Sequence, residues 1–362
     1  MSPQVIANAL VALLPVLVFL GALVYFDSFK LVSLGSVLGA IAVGGAAAGL
    51  SYSLNSQLID FLRMEFVTYS RYASPWLEES LKAALLVYLI RSRRIGMLVD
   101  AAIYGFAIGS GFALVENFYY LATRPDAHIA VQVIRGFGTA IMHGGATAIF
   151  AIVSVALADK RPDSVFVVFL PGLLAAATLH SGFNHLLAKP MLATLGILLV
   201  LPPLMHFVFQ RSENALRDWL DADLDSDMQL LELINSDDFS QSPVGTYLQS
   251  LRERFRGEVV ADMLCYMRLH VELALRAKGV LLMRESGLDA PVDEETREKL
   301  TEMRYLERSI GRTGQLAMRP VLPMTSKDLW QIYMLKRGRI FLSLSALRRT
   351  SRRALTSDRR PP

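Results

Sequence analysis

The chain has 362 residues, of which 53% are hydrophobic and 19% are charged, and its mean hydropathy is +0.37. This composition excludes a water-soluble protein of this size. The charges are concentrated towards the C-terminus: residues 1–210 contain 12 Lys/Arg and 10 Asp/Glu, whereas the rest of the chain contains 25 and 23. We therefore predict a transmembrane domain over residues 1–210, a helical cytoplasmic domain over 211–335 and a basic, flexible tail over 336–362.

Net charge and cysteine content exclude two further classes of protein. The formal net charge is only +4, which gives little reason to expect a nucleic-acid partner. The single cysteine, Cys265, cannot form an intrachain disulfide and lies outside any Cys/His cluster. Redox and cysteine-based zinc functions are therefore excluded.

Seven apolar stretches predict an all-α, polytopic membrane helix bundle. A membrane-spanning helix needs about 20 predominantly apolar residues. Six stretches reach that length; a seventh is shorter and carries charged residues near its start, but it ends in the apolar run 83–90. In chain order, the predicted helices lie near 5–25, 31–53, 76–90, 97–122, 136–157, 163–188 and 190–210.

The loops between these helices predict how the chain is oriented in the membrane. Positively charged residues near helix ends favour the cytoplasmic side. Alternate loops contain eight Lys/Arg on one side and five on the other, and Arg91, Arg93 and Arg94 contribute most of the difference. We therefore predict a multi-pass protein of the cell membrane, with its N-terminus outside and its C-terminus in the cytoplasm.

Ionisable side chains occur within four of the predicted helices. Each costs roughly 2.5–3.5 kcal/mol at the centre of a transmembrane helix on insertion scales, so each is a candidate functional group. At a rise of about 1.5 Å per residue, Glu79, Glu116, His143 and His180 lie roughly 5–12 Å below the outer membrane boundary. Because the four residues occupy one layer, we expect their side chains to converge.

The spacing within two of these helices supports the convergence. Glu78 and Glu79 lie four and three residues before Lys82, so at least one carboxylate can be neutralised within its own helix. His180 and Asn184 are one helical turn apart and project to one face.

As a set, the motifs resemble those of the PrsW family of intramembrane proteases. The resemblance covers roughly residues 74–188 and rests on EExxK (Glu78, Glu79, Lys82), FxxxE followed by Asn (Phe112, Glu116, Asn117), an intramembrane His143, and HxxxN (His180, Asn184). The related superfamily of CAAX-prenyl proteases and bacteriocin-processing enzymes more usually ends the second motif in His. Glu116 therefore places the chain with the PrsW branch.

The resemblance implies an intramembrane endopeptidase whose site opens towards the extracytoplasmic face. Its substrates would be membrane-anchored proteins, of which an anti-sigma factor is the best-known type. The lipid bilayer is the expected environment of the transmembrane domain. Residues 211–362 resemble nothing that we can name, and we expect residues 211–335 to bind a cytoplasmic partner that the sequence does not identify.

One hydrolytic mechanism uses a glutamate without a metal. Glu79 or Glu78 would act as the general base, with Lys82 orienting the carboxylate. A buried carboxylate acquires a raised pKa, whereas a neighbouring ammonium group lowers it again. The water or the oxyanion would be held by His143, His180 and Asn184.

A metal-dependent mechanism fits the composition equally well. Glu116, His143 and His180 form a set of two histidines and one carboxylate, of the kind that zinc hydrolases use, and leave a fourth position for water. No HExxH motif forces this assignment. The sequence therefore leaves Zn²⁺-dependent and metal-free hydrolysis open.

Two rival functions use the same buried groups. In a proton-coupled membrane transporter, the glutamates and histidines would relay protons, and inverted repeats would be expected. No clear repeat appears in the membrane region. The other rival is a catalytically inactive relative that binds membrane proteins.

The cytoplasmic half shows helical patterns over 244–285 and 294–310. An acidic run over 221–232 places carboxylates at positions 1, 3, 5, 7 and 12 of a calcium loop, but Ser226 replaces the glycine expected at position 6. We therefore favour a solvated acidic linker or a helix start over a calcium site. The basic tail could lie on anionic lipid or remain free in solution.

Overall fold

The structure is a computed structural model that describes residues 3–124, 127–160, 164–186, 189–288, 291–322 and 326–337. These residues form helices, turns and short loops without a strand, which confirms the predicted all-α class. The chain divides into two compact units, Met1–Ala215 and Leu216–Pro362. Most of the predicted basic tail, from residue 338 onward, lies outside the described residues.

Nine helices begin in the described part of the first unit. They are α1 (Pro3–Phe26), α2 (Leu34–Leu62), α3 (Phe66–Tyr72), α4 (Ser74–Arg91), α5 (Leu98–Thr123), α6 (Ile129–Val133), α7 (Ala140–Ala158), α8 (Val165–Leu186) and α9 (Pro190–Asn235). A π-helical turn, Ile134–Thr139, joins α6 to α7 without a break. Helix α9 does not end near residue 210: it is 46 residues long and ends at Asn235.

Six helical segments in the described residues are long and apolar enough to cross a membrane. They are Gln4–Phe26, Leu34–Leu62, Leu98–Thr123, Ile129–Ala158, Val165–Leu186 and Pro190–Asn235. The seventh predicted helix, 76–90, is present as α4, but its 18 residues include two glutamates, a lysine and an arginine. Helix α4 packs against α2, α7 and α8, and Glu79 and Lys82 are buried there, whereas Arg91 at the end of α4 is exposed.

Helix α5 lies at the centre of the membrane unit and packs most extensively against α7. Two glycines on α5 permit this close approach. A Cβ atom at Gly109 would lie 2.2 Å from the carbonyl oxygen of His143, and one at Gly105 would lie 2.6 Å from that of Thr147. The backbones of α5 and α7 can therefore come closer than two helices with larger side chains could, which is typical of membrane helix packing.

The C-terminal unit is also helical. It contains the end of α9, followed by a 3₁₀ turn (Asp237–Gln241), α10 (Pro243–Ser250), a second 3₁₀ turn (Leu251–Glu253), α11 (Gly257–Glu285), α12 (Glu294–Met318) and α13 (Ser326–Arg337). The helix predicted over 244–285 is thus divided between α10 and α11. The helix predicted over 294–310 is the part of α12 before a kink at Gly311, where φ is +68°.

The acidic run over 221–232 lies inside α9, so it is neither a linker nor a calcium loop. Two of its carboxylates serve a buried cation instead. Lys278 on α11 is fully buried and its Nζ lies 2.7 Å from Asp223 Oδ2 and 2.5 Å from Asp227 Oδ2. Two of the five carboxylates, those of Asp223 and Asp227, are therefore explained by their contact with α11, whereas Asp221, Asp225 and Glu232 are exposed.

Candidate active site

Helix α4 supplies two adjacent carboxylates and a lysine to the interior of the membrane unit. Glu79 and Lys82 are buried, with 2% and 0% of their surfaces exposed. The Nζ of Lys82 donates to Glu79 Oε1 over 2.5 Å, one turn along the same helix. The pair is thus neutralised within α4, and Lys82 retains further N–H groups that can donate to other helices.

Helix α7 brings His143 to this pair. The Nζ of Lys82 donates to His143 Nδ1 over 3.1 Å, and His143 Nε2 lies 2.8 Å from Glu116 Oε2 on α5. A carboxylate only accepts hydrogen bonds, so Nε2 carries the proton and donates, while Nδ1 accepts from the ammonium group. These two bonds fix one tautomer of His143 and join α4, α5 and α7.

Helix α8 contributes the second imidazole. His180 Nδ1 donates to Glu79 Oε1 over 2.9 Å, so that Nε2 is the unprotonated nitrogen of the neutral ring. This nitrogen faces Glu78 Oε2 at 3.8 Å. The rings of His143 and His180 meet edge to face with their centroids 4.7 Å apart. Each histidine is therefore held by one carboxylate, and the two rings adjoin.

Glu78 differs from Glu79 in its exposure and its partners. Its side chain retains 14% exposure, against 1% for Glu79. Ser74 Oγ donates to Glu78 Oε1 over 2.5 Å and Asn55 Nδ2 donates to the same oxygen over 3.2 Å, while Tyr69 OH donates to Asn55 Oδ1. These contacts fix Oε1 and leave Oε2 directed at His180, so Glu78 is the more accessible of the two carboxylates.

Three ligand atoms from these residues come close enough to share a metal ion. One atom each from Glu78, His143 and His180 lies within 4.8 Å of the other two. Among the described residues, no other group of three or more His, Cys, Asp or Glu side chains comes this close. Two imidazoles and one carboxylate form a donor set that Zn²⁺ accepts in hydrolases. The donor chemistry of the site therefore fits the ion.

The structure groups a different carboxylate with the two histidines from the one named in the predicted metal set. The sequence analysis names Glu116 with His143 and His180, but Glu78 takes that place in the cluster. The carboxylate of Glu116 is occupied on both oxygens, because Arg135 donates to Oε1 over 3.0 Å and His143 to Oε2. Glu116 therefore accepts a hydrogen bond from Nε2 of His143 and orients its ring.

Of the seven predicted site residues, six form one continuous set of contacts and one lies apart from these contacts. The six are Glu78, Glu79, Lys82, Glu116, His143 and His180. The side-chain amide of Asn184 donates to the carbonyl oxygen of Ser70 over 2.8 Å. The hydroxyl of Ser181 donates to the carbonyl oxygen of Arg71. Asn184 thus joins α8 to α3.

Arg135 and Thr147 also contact the cluster and, like Ser74 and Asn55 beside Glu78, are absent from the sequence-based set. Arg135 pairs with Glu116, and Thr147 Oγ1 donates to Glu79 Oε2 over 3.4 Å as well as to the carbonyl of His143. An arginine next to an apolar run, followed by Gly136 and Gly138, is a signal that could have identified the first. For Thr147, the sequence gives only a weak indication of a role at the site: it lies one helical turn after His143.

Four apolar helices that surround paired carboxylates and imidazoles define a polytopic membrane protein with a hydrolase-type centre inside the bundle. Residues 28–209 match the model of the PrsW family of intramembrane metalloproteases. The chain belongs to this family, and it is a multi-pass intramembrane protease. No curated protein and no solved structure shows significant similarity to it.

Proposed function

We propose that the chain is an endopeptidase that hydrolyses membrane-anchored proteins at the centre bounded by Glu78, His143 and His180. The observation that carries this proposal is the convergence of these three side chains, with ligand atoms within 4.8 Å of one another. They come from α4, α7 and α8, so the centre requires the folded bundle. Buried ionisable groups are costly inside a membrane, which favours a chemical role over a purely structural one.

The same three residues would hold a zinc ion. When bound, Zn²⁺ would lower the pKa of a coordinated water and polarise the scissile carbonyl group. His180 offers Nε2 as a lone-pair donor because its Nδ1 is committed to Glu79. His143 offers Nδ1, which accepts a hydrogen bond from Lys82 in this structure. The ammonium group of Lys82 and an ion would therefore compete for one lone pair.

The remaining buried groups orient the imidazoles. Glu79 and Glu116 each accept the N–H of one histidine and fix its tautomer, which is the usual arrangement behind metal-ligating or catalytic histidines. Lys82 neutralises Glu79 and also contacts His143, so it joins the Glu79–His180 pair to the Glu116–His143 pair. Glu79 is enclosed by these contacts, which argues against direct proton transfer from water to this residue.

Glu78 is the carboxylate best placed to meet the reacting water. Its Oε2 faces His180 Nε2 at 3.8 Å, too long for a direct hydrogen bond. Two versions of the proposal assign it different roles. With zinc, Glu78 is a ligand; without a metal, it takes the proton of a water held between itself and His180. Metal analysis of the purified protein separates the two versions.

The substrate class and the face of cleavage follow from the family and from the loop charges. A centre inside a helix bundle is reached most directly by a segment that is itself in the membrane, so we propose single-span, anti-sigma-factor-like proteins as substrates. The distribution of loop cations supports a site near the extracytoplasmic face. Residues 211–335 would then carry the contacts with a cytoplasmic partner.

The test uses the full chain in proteoliposomes with a candidate single-span protein. We expect Glu79→Gln and His180→Ala to lower the cleavage rate by at least about 100-fold, because the first removes the negative charge beside His180 and Lys82 and the second removes the imidazole itself. The matched controls are Glu65→Gln and His206→Ala, which change exposed residues outside the cluster. Zinc content and inhibition by a chelator are measured on the same preparations.

Each rival function predicts a different result. Cleavage that survives in both Glu79→Gln and His180→Ala would remove the proposed centre. Flux that depends on a pH gradient, without cleavage, would instead indicate a proton-coupled transporter. Stable binding of the single-span protein without cleavage by the wild type would indicate an inactive relative.

A further inference from the structure

Arg135 is a charged residue inside a segment long enough to cross the membrane. It lies in the π-helical turn Ile134–Thr139, and its side chain is 15% exposed. One guanidinium nitrogen donates to Glu116 Oε1 over 3.0 Å, and the guanidinium carbon lies 4.3 Å from the centre of the Tyr120 ring. Both partners are on α5, so Arg135 fixes the turn to that helix.

The contacts of Glu116 continue directly to the centre. Arg135 occupies Oε1 of this carboxylate, and His143 donates to Oε2. The side chain of Glu116 is 38% exposed, so burial alone would not hold it in one rotamer. We infer that Arg135 is a positioning residue for His143, which it holds through Glu116.

The position of Arg135 depends in turn on α1. Helix α1 contains Pro15, which has no N–H group, so the carbonyl of Val11 lacks its usual partner four residues later. The next residue after Arg135 packs against that carbonyl: a Cβ atom at Gly136 would lie 2.0 Å from Val11 O. Only a glycine allows the π-helical turn to come this close to α1.

A side-chain amide strengthens the same junction. Asn117 is 1% exposed, and its Nδ2 donates to the carbonyl of Ala12 over 2.8 Å and to that of Arg135 over 3.4 Å. One group on α5 therefore joins α1 to the turn. Residues 28–209 match the family model, whereas α1 precedes that range. Helix α1 thus supports the centre from outside the matched region.

The inference rests on the proposed function, and its test measures Arg135→Gln beside Glu79→Gln. Arg135→Gln should lower kcat by about 10–100-fold, the usual cost of losing a group that orients a histidine. KM should stay within about twofold, because Arg135 contacts Glu116 and Tyr120 and leaves substrate binding to other residues. Arg135→Lys keeps the positive charge and an N–H group for Glu116, so it should retain more of kcat than Arg135→Gln does.

Two control variants separate positioning from general damage. Arg124→Gln removes a cation that lies over the same Tyr120 ring, at 5.7 Å, and should cleave like the wild type. Gly136→Ala should lower kcat as Arg135→Gln does, whereas Gly21→Ala on α1 should not, because its Cβ atom would meet nothing within 4 Å.

Three results would overturn the inference while Glu79→Gln stays inactive: a wild-type kcat for Arg135→Gln, a Lys variant no better than the Gln variant, or an equal loss in Arg124→Gln. Cleavage by Glu79→Gln would instead count against the proposed function. A thermal-unfolding comparison needs no substrate. The double variant Arg135→Gln/Glu116→Gln should lose less thermal stability than the sum of the two single losses, and a fully additive loss would also overturn the inference.

Discussion

The two compact units each bury one lysine completely, but the surroundings of the two lysines differ. In the C-terminal unit, Lys278 contacts Asp223 and Asp227, whose side chains are 35% and 20% exposed. In the membrane unit, Lys82 has one carboxylate partner, Glu79, which is 1% exposed and is shared with a histidine. Lys278 pairs with the two carboxylates of its ion cluster, whereas Lys82 contacts Glu79 and His143, which in turn contact His180 and Glu116.

This difference distinguishes a structural ion cluster from a centre arranged for chemistry. A buried cation with two carboxylates has its charge satisfied and gains nothing from a further partner. Lys82 instead bonds both Glu79 and His143, and these contact His180 and Glu116 in turn. Contacts that run through several titratable groups can shift protons and orient ligands, so the environment of the lysine matters more than its burial.

The largest expected effect comes from removing each lysine. Lys278→Met should lower the free energy of unfolding by about 3 kcal/mol, the lower end of the range for a broken buried ion pair, because the two carboxylates left without a counter-charge are partly exposed. Cleavage per folded molecule should be unchanged. Lys82→Met should lower kcat by about 100-fold, since it removes the contact that joins Glu79 to His143. Denaturant unfolding and cleavage assays check both; a loss of kcat in Lys278→Met would erase the contrast.

A smaller effect concerns the buried histidine of the C-terminal unit. His270 is 5% exposed, its Nδ1 has no hydrogen-bond partner among the described residues, and burial lowers its pKa from 6.5 to about 4. The unfolded chain therefore binds more protons than the folded chain between about pH 4 and 6.5. Stability should rise by about 3 kcal/mol as the pH increases through this range.

His270→Leu removes the titrating group and should flatten this pH dependence. The measurement is denaturant unfolding at a series of pH values, followed by fluorescence of Trp219 and Trp330 in the C-terminal unit. The same slope in wild type and variant would show that another group is responsible. His143 offers a contrast, because both of its ring nitrogens are hydrogen-bonded.

The smallest expected effect concerns the spacing of α5 and α7 in the membrane unit. Gly109→Ala places a methyl group 2.2 Å from the carbonyl oxygen of His143, so the helices must separate or distort. We expect a loss of about 1–3 kcal/mol in thermal stability, with reduced cleavage. Gly182→Ala is the matched control, because no atom lies within 4 Å of its Cβ position. Equal behaviour of the two variants would show that the close approach is unimportant.

The helices and the shared layer of polar groups are predictable from the sequence, and for a physical reason. Hydrocarbon penalises every unpaired charge, so an apolar run with a Glu or His in it reports both a membrane helix and a buried partner. The contacts of Glu79, Glu116, His143 and His180 bring together the four residues that the layer argument groups. Among the residues that the structure describes, six helical segments are long and apolar enough to span a membrane, while the charges of α4 exclude it from these six.

The details that were missed depend on neighbours distant in the chain. Glu78 and Glu116 each lie beside a histidine. Arg135, in the π-helical turn, and His143 occupy the two carboxylate oxygens of Glu116, so Glu78 is the carboxylate grouped with both histidines. A π-helical turn leaves no hydrophobic period to recognise. The partner of Asp223 and Asp227, Lys278, likewise lies some 50 residues further along the chain.

The ion pair of Glu79 and Lys82 also bears on how the protein is made. Both residues belong to α4, which leaves the ribosome before α5, α7 and α8. Their mutual bond needs no group from a later helix, so α4 can enter the translocon with part of its charge already neutralised. The two histidines, which arrive with α7 and α8, then find a preformed anchor. Helix α4 thus carries a counter-ion for Glu79 before α5, α7 and α8 are made.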